Sequence, residues 1–134
     1  MIKSILFLFC FVPLALFAKD IDGVYNVVGY DPITKSEYQG IAEIKLEDAK
    51  NELYGIVYQF THPFVSTCGT GIKINNTISF VFAESDSSDL NNDTMKYGVQ
   101  IYEIQREKLS GPWIFYGDNV KGSETLTKVN DIRK

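Results

Sequence analysis

The stretch Ala42-Glu43-Ile44-Lys45-Leu46-Glu47 alternates apolar and charged residues without a break. Successive side chains of a strand point to opposite faces, so Ala42, Ile44 and Leu46 share one side and Glu43, Lys45 and Glu47 the other. A strand with one dry and one wet side belongs to an antiparallel sheet covered on a single face. Working outward, the same two-residue period recurs. Before it, Gly23 to Tyr30 sets Tyr25 and Val27 on one face with Ile21, and Val24, Val28 and Tyr30 on the other. After it, Leu53 to Phe60 gathers Tyr54, Ile56, Tyr58 and Phe60 on one face. Gly69 to Ile74 and Thr77 to Glu84 read as a hairpin through Asn75-Asn76, which tolerate the left-handed backbone of a tight turn. Its expected buried face runs through Ile72, Ile74, Ile78, Phe80 and Phe82. Strands near Lys96 to Gln105, Lys108 to Tyr116 and Lys121 to Val129 complete the series.

Asp31-Pro32, Asp48 to Asn51 and Thr61-His62-Pro63 supply breaks between strands. No window holds the helical period for three turns. The expected fold is therefore all-β, an eight-stranded antiparallel up-and-down β-barrel. Gly98, Gly111, Gly117 and Gly122 suit the bends and close approaches of a curling sheet.

The beginning of the chain reads as a signal peptide over residues 1–18. Lys3 gives a basic start, Ile5 to Phe17 is apolar, and Ala18 precedes the polar Lys19-Asp20. The expectation is a secreted or periplasmic protein with one barrel domain over residues 19–134. No later segment is apolar and long enough to span a membrane. The full chain carries a formal net charge of −4. This acidic balance argues against a nucleic-acid partner, which would need clustered positive charge. Cys68 is the one cysteine beyond the leader, so no internal disulfide is available to the domain.

Candidate chemistry is sparse. His62 and Cys68 are placed in one loop, where an imidazole could activate a thiol, but no third orienting group accompanies them. One His and one Cys cannot furnish a zinc site without several carboxylates. Glu84, Asp86, Asp89 and Asp93 could offer oxygens to calcium, yet they lack the spacing that wraps an ion, and a solvated loop is expected instead. Asn75-Asn76-Thr77 and Asn92-Asp93-Thr94 match glycosylation sequons. The chain is expected to be non-catalytic, with no metal and no cofactor.

Glu124 is the carboxylate that stands out. It shares strand parity with Leu126 and so is expected to point into the apolar interior. There it needs partners, such as the hydroxyl of Tyr25 or Tyr102. It would either close one end of the barrel or hold a polar ligand group. Trp113-Ile114-Phe115-Tyr116 is apolar on both faces. It marks either a contact with a partner or second subunit, through Trp113, Phe115 and Tyr116, or rings lining a pocket.

Three stretches carry a resemblance. They are Gly23-Val24-Tyr25, then Tyr97-Gly98-Val99-Gln100-Ile101-Tyr102 with Leu109-Ser110-Gly111-Pro112-Trp113, and Gly122-Ser123-Glu124-Thr125-Leu126. Together they resemble a family of small secreted bacterial β-barrel proteins, mostly uncharacterised and some labelled fibronectin-binding. The layout is more distantly similar to avidin-like and lipocalin-like barrels. Lipocalins open with Gly-x-Trp, and Tyr25 stands at the Trp position here. The resemblance implies a barrel and names no reaction.

Two functions follow as expectations. The first is an exported protein-interaction module, a host-matrix adhesin or an inhibitor of a secreted enzyme. It would act through the loops at Asp31 to Ser36, Thr61 to Cys68 and Ser85 to Asp93. The alternative is a carrier of a small apolar ligand, with Tyr25, Tyr54, Tyr58, Phe80, Phe82, Tyr102 and Glu124 as lining candidates. A cavity of several hundred cubic ångströms would favour the carrier, and a barrel filled by its own side chains would exclude it.

Overall fold

The computed structural model describes residues 21–61, 65–85 and 95–129. These form eight strands: β1 (Gly23–Asp31), β2 (Ser36–Asp48), β3 (Leu53–Phe60), β4 (Ser66–Ile74), β5 (Thr77–Ser85), β6 (Met95–Gln105), β7 (Lys108–Phe115) and β8 (Gly122–Lys128). Each strand pairs antiparallel with its neighbours in sequence, and β8 returns to β1, so the sheet is a closed up-and-down barrel. Closure leaves no unpaired edge among the strands. The expected leader, residues 1–18, lies outside the described residues.

The two-residue period fixes what lies inside. Along β2 the inward Ala42 and Ile44 are fully buried, while Glu43 and Lys45 face solvent and pair at 3.4 Å. Leu46, expected on the buried face, is 40% exposed. The register of β2 against β3 shifts between Leu46 and Asp48, a bulge that disturbs the alternation at that point. The β4–β5 hairpin requires a second correction. Ile74 pairs with Thr77 and Lys73 with Ile78, so Gly69, Gly71 and Lys73 share the inner face with Ile78, Phe80 and Phe82. Ile72 and Ile74 therefore point outward and are exposed. Apolar character alone suggested the opposite face, and the register across the turn overrides it. Asn75 adopts the left-handed conformation (φ 54°) that this turn needs. Strand β4 also begins earlier than expected. Cys68 consequently lies within it as an exposed, outward side chain rather than in a loop.

The two ends of the barrel differ. The β2–β3, β4–β5 and β6–β7 connections close one end with short turns, at 49–52, 75–76 and 106–107. Inside that end Ile21, Tyr25, Ile44, Tyr54, Ile78, Ile104 and Leu109 fill the barrel, and Tyr25 donates its hydroxyl to the Ile21 carbonyl at 2.7 Å. Lys73 reaches inward and meets Glu52 at 3.7 Å. The entering and leaving segments meet here too, Val129 N–H donating to the Val24 carbonyl at 2.8 Å. Val27, Ile56, Phe80, Tyr102 and Leu126 complete the core at mid-height. At the other end β1, β3, β5 and β7 finish and β2, β4, β6 and β8 start.

Candidate functional site: an aromatic cup above a buried carboxylate

Strands β1, β3, β5 and β7 end, and β2, β4, β6 and β8 begin, around a cavity of about 320 Å3. It lies at the low end of the range for small-molecule pockets, roughly 300–1,000 Å3. Its wall is an arc of rings in mutual contact. Tyr58 stacks on Phe60 with centroids 5.6 Å apart, and Phe60 meets the edge of Tyr38 at 5.3 Å. Tyr38 lies 6.3 Å from Trp113, which continues to Phe115 at 5.4 Å and thence to Phe82 at 5.6 Å. Edge-to-face contacts of this kind hold rings in place by matching positive edges to negative faces.

Glycines make the room that these rings occupy. Gly29 pairs with Tyr38 across β1 and β2, and a Cβ on Gly29 would sit 2.1 Å from the Tyr38 ring. Gly122 pairs with Trp113 across β7 and β8, and a Cβ there would sit 2.1 Å from the indole. Each ring thus lies flat over the backbone of its cross-strand partner. In this arrangement a large residue covers the gap left by a missing side chain.

The floor is polar. Glu124 is 7% exposed and accepts hydrogen bonds from Tyr38 at 2.6 Å and from Tyr102 at 2.5 Å, one on each carboxylate oxygen. The Tyr58 and Tyr102 oxygens are 2.5 Å apart. Since the Tyr102 proton is directed to Glu124, Tyr58 is the donor in that second bond. A chain of donation therefore runs from Tyr58 to Tyr102 to Glu124, joined on the other side by Tyr38. Burial pushes the Glu124 carboxyl up to about 7, against the pull of the two tyrosine hydrogen bonds, which favour its ionised form. Burial, then the nearby Glu124 charge, raises the Tyr38 and Tyr58 hydroxyls well above the usual phenol range. For Tyr102 burial leads as well, followed by Tyr58 and Glu124. All three phenols accordingly stay protonated and able to donate.

Two further polar atoms belong to residues of the lining. Thr67 Oγ1 and Trp113 Nε1 are buried, and neither has a hydrogen-bond partner among the described residues. The indole nevertheless lies close enough to the Tyr38 oxygen to lower that hydroxyl's otherwise raised pKa. Gln100 is 2% exposed and directs its amide nitrogen to the Ile101, Gly111 and Pro112 carbonyls at 3.1 to 3.3 Å, which fixes it against β7. At the mouth stand Asp31, Glu37 and Glu84, with Lys96 as the one lysine or arginine among the described lining residues.

The residues singled out in the sequence divide between the two halves. Tyr58, Phe82 and Glu124 line the cup. Tyr102 is fully buried beneath it and touches the site through Glu124. Phe80 is buried at mid-height, and Tyr25 and Tyr54 lie in the filled end, away from the cavity. Trp113 and Phe115 turn inward to the cup wall, whereas Tyr116 is 92% exposed. Glu124 takes Tyr102 as partner, and its second partner is Tyr38 rather than Tyr25. The sequence reading missed Tyr38, Phe60, Thr67 and Gln100. Glycine opposite an aromatic residue was the available signal for Tyr38, but it appears only once the β1–β2 register is known.

His62, and most of the acidic stretch Ser85 to Asp93, fall outside the described residues. Among the described residues no three His, Cys, Asp or Glu side chains group to hold a metal ion. Among the same residues no helix is long and apolar enough to cross a membrane, which says nothing of strands. Compared with known proteins, the chain matches no family model and no curated sequence.

Proposed function

We propose that this protein is a non-catalytic binding barrel that holds a small molecule in its open half. The observation that carries this reading is the cavity of about 320 Å3, walled by an arc of six aromatic rings and floored by Glu124. A concave, mostly apolar space with a few convergent polar groups is the usual architecture of a small-molecule site. Glu124 is well placed to orient a polar ligand group. The cavity moves the carrier ahead of the interaction module. Export remains part of the proposal and rests on the composition of the leader. Native mass spectrometry of the purified protein tests the reading. Retained small-molecule mass that Phe82→Trp, a change that fills the cup, removes would support it. A protein that retains nothing and takes up no member of a fragment library would overturn it.

The interaction module keeps one observation of its own. On the outer face Val81, Val99 and Ile101 of β5 and β6 are all exposed, beside Tyr97. Adjacent apolar side chains on a sheet surface form the kind of patch that partners cover. Sedimentation of the protein, with Val99→Lys as a control, tests whether that face is occupied by a second copy.

A further inference from the structure

We infer that the ligand of the cup is a small organic cation, an ammonium held between the aromatic arc and the Glu124 carboxylate. The inference rests on the proposed binding function and names its ligand class.

Charge is the first argument. Among the described residues, Asp31, Glu37, Glu84 and Glu124 line the cavity against the single ammonium of Lys96. Low-dielectric walls focus such a field into the cleft, so the mouth attracts cations and repels anions. Glu124 itself is a buried carboxylate whose described partners are neutral hydroxyls, with no cation in salt-bridge range. A buried carboxylate is costly unless paired, and an entering ammonium would supply the missing countercharge.

Ring chemistry is the second. Tyr38, Tyr58, Phe60, Phe82, Trp113 and Phe115 surround one space, and the negative faces of such rings attract cations most strongly where water is excluded. The molecule already uses one of them in this way, since Lys96 Nζ lies 5.5 Å from the centre of the Phe115 ring. Aromatic walls with a carboxylate are the recurrent solution for quaternary and alkylated ammonium groups.

The test compares benzyltrimethylammonium with neopentylbenzene, its uncharged isostere of nearly the same shape. Trp113 is the only tryptophan of the chain and lies in the cup wall, so its fluorescence reports occupancy directly. The cation is expected to bind at least tenfold more tightly than the neutral probe. Glu124→Gln should bring the two probes to near-equal affinity. A second measurement needs no variant. The groups facing Glu124 are the hydroxyls of Tyr38 on β2, Tyr58 on β3 and Tyr102 on β6. The charged groups sharing the cavity are Asp31, Glu37, Glu84 and Lys96, on β1, β2, β5 and β6. The phenols do not ionise below pH 8, and Glu124 protonates near 7. Cation affinity should therefore fall from pH 8 to pH 5 by about the factor that Glu124→Gln removes, roughly tenfold or more, with neutral-probe affinity flat. Equal binding of both probes, or a cation affinity indifferent to Glu124→Gln and to pH, overturns the inference and leaves the binding cup standing. If neither probe moves the Trp113 signal, both fall.

Discussion

Tyr25 and Tyr38 are inward-facing tyrosines on adjacent strands, and they illustrate how the two halves of the barrel differ. Tyr25 lies among aliphatic side chains, 2% exposed, with its hydroxyl fixed on the Ile21 carbonyl. Every part of it is used in holding the fold. Tyr38 is half-buried, faces open space, and directs its hydroxyl to a carboxylate. The filled half shows what stability needs, a dry interior with its polar groups tied to backbone. The open half keeps rings and a charge at a surface that no described residue covers. Sites of binding are commonly built at some cost to stability, and Glu124 is where that cost is concentrated here.

The contrast can be broken most forcefully at Phe80. It is fully buried at mid-height, so Phe80→Ala should destabilise the protein by about 3–5 kcal/mol in urea unfolding. Phe115→Ala, at the cup wall, should cost about a third as much because that ring already faces open space. Equal costs would mean that the open half is as well packed as the closed one.

Glu124 comes next. Its carboxyl titrates near 7 in the folded protein, above the ordinary value of 4.5. Between these values the folded state holds the proton more tightly than the unfolded state. Glu124 therefore removes stability as pH rises from 4.5 to 7, on the order of 3 kcal/mol in all, and contributes no further change above 7. Chemical denaturation of wild type and Glu124→Gln across this range should give a difference that shifts in favour of Gln as pH rises. A difference independent of pH would show that the carboxyl is not raised.

Gly122→Ala should cost about 1–3 kcal/mol and shift the Trp113 emission, since the added methyl displaces the indole. The same substitution at Gly117, where nothing lies within 4 Å of a Cβ but φ is 90°, should leave the emission unchanged. The smallest effect is expected from Tyr38→Phe, about 1 kcal/mol for one lost hydrogen bond. Its clearer signature is a Glu124 pKa moved further up, because the bond removed is one that lowers it. Carbon-13 NMR of the glutamate carboxyls would follow that titration.

Strand content and closure were legible because β2 and β3 alternate cleanly and turn residues separate the strands. The inward position of Glu124 followed from its parity with Leu126. The hairpin face failed because Ile72 and Ile74 are apolar yet lie on the outer parity. On a barrel wall, the register across Asn75-Asn76 settles the face, and a run of isoleucines does not reveal it. The cup was only partly legible. Its members come from all eight strands, and its hollow depends on glycines meeting rings across strand pairs. A sequence read strand by strand does not display such pairs. Trp113 illustrates this, since its apolar neighbours suggested a contact surface until Gly122 gave the indole a place inside.

The chain enters the barrel at Ile21 and leaves it at Val129, and both points lie at the filled end, opposite the mouth. That arrangement gives the molecule a polarity useful for engineering. A fluorescent protein, an affinity handle or a surface tether joined at Ile21 or after Val129 would start from the face opposite the cup. Arrayed on a bead or a sensor chip through such a tether, each copy would stand with its mouth toward the solution.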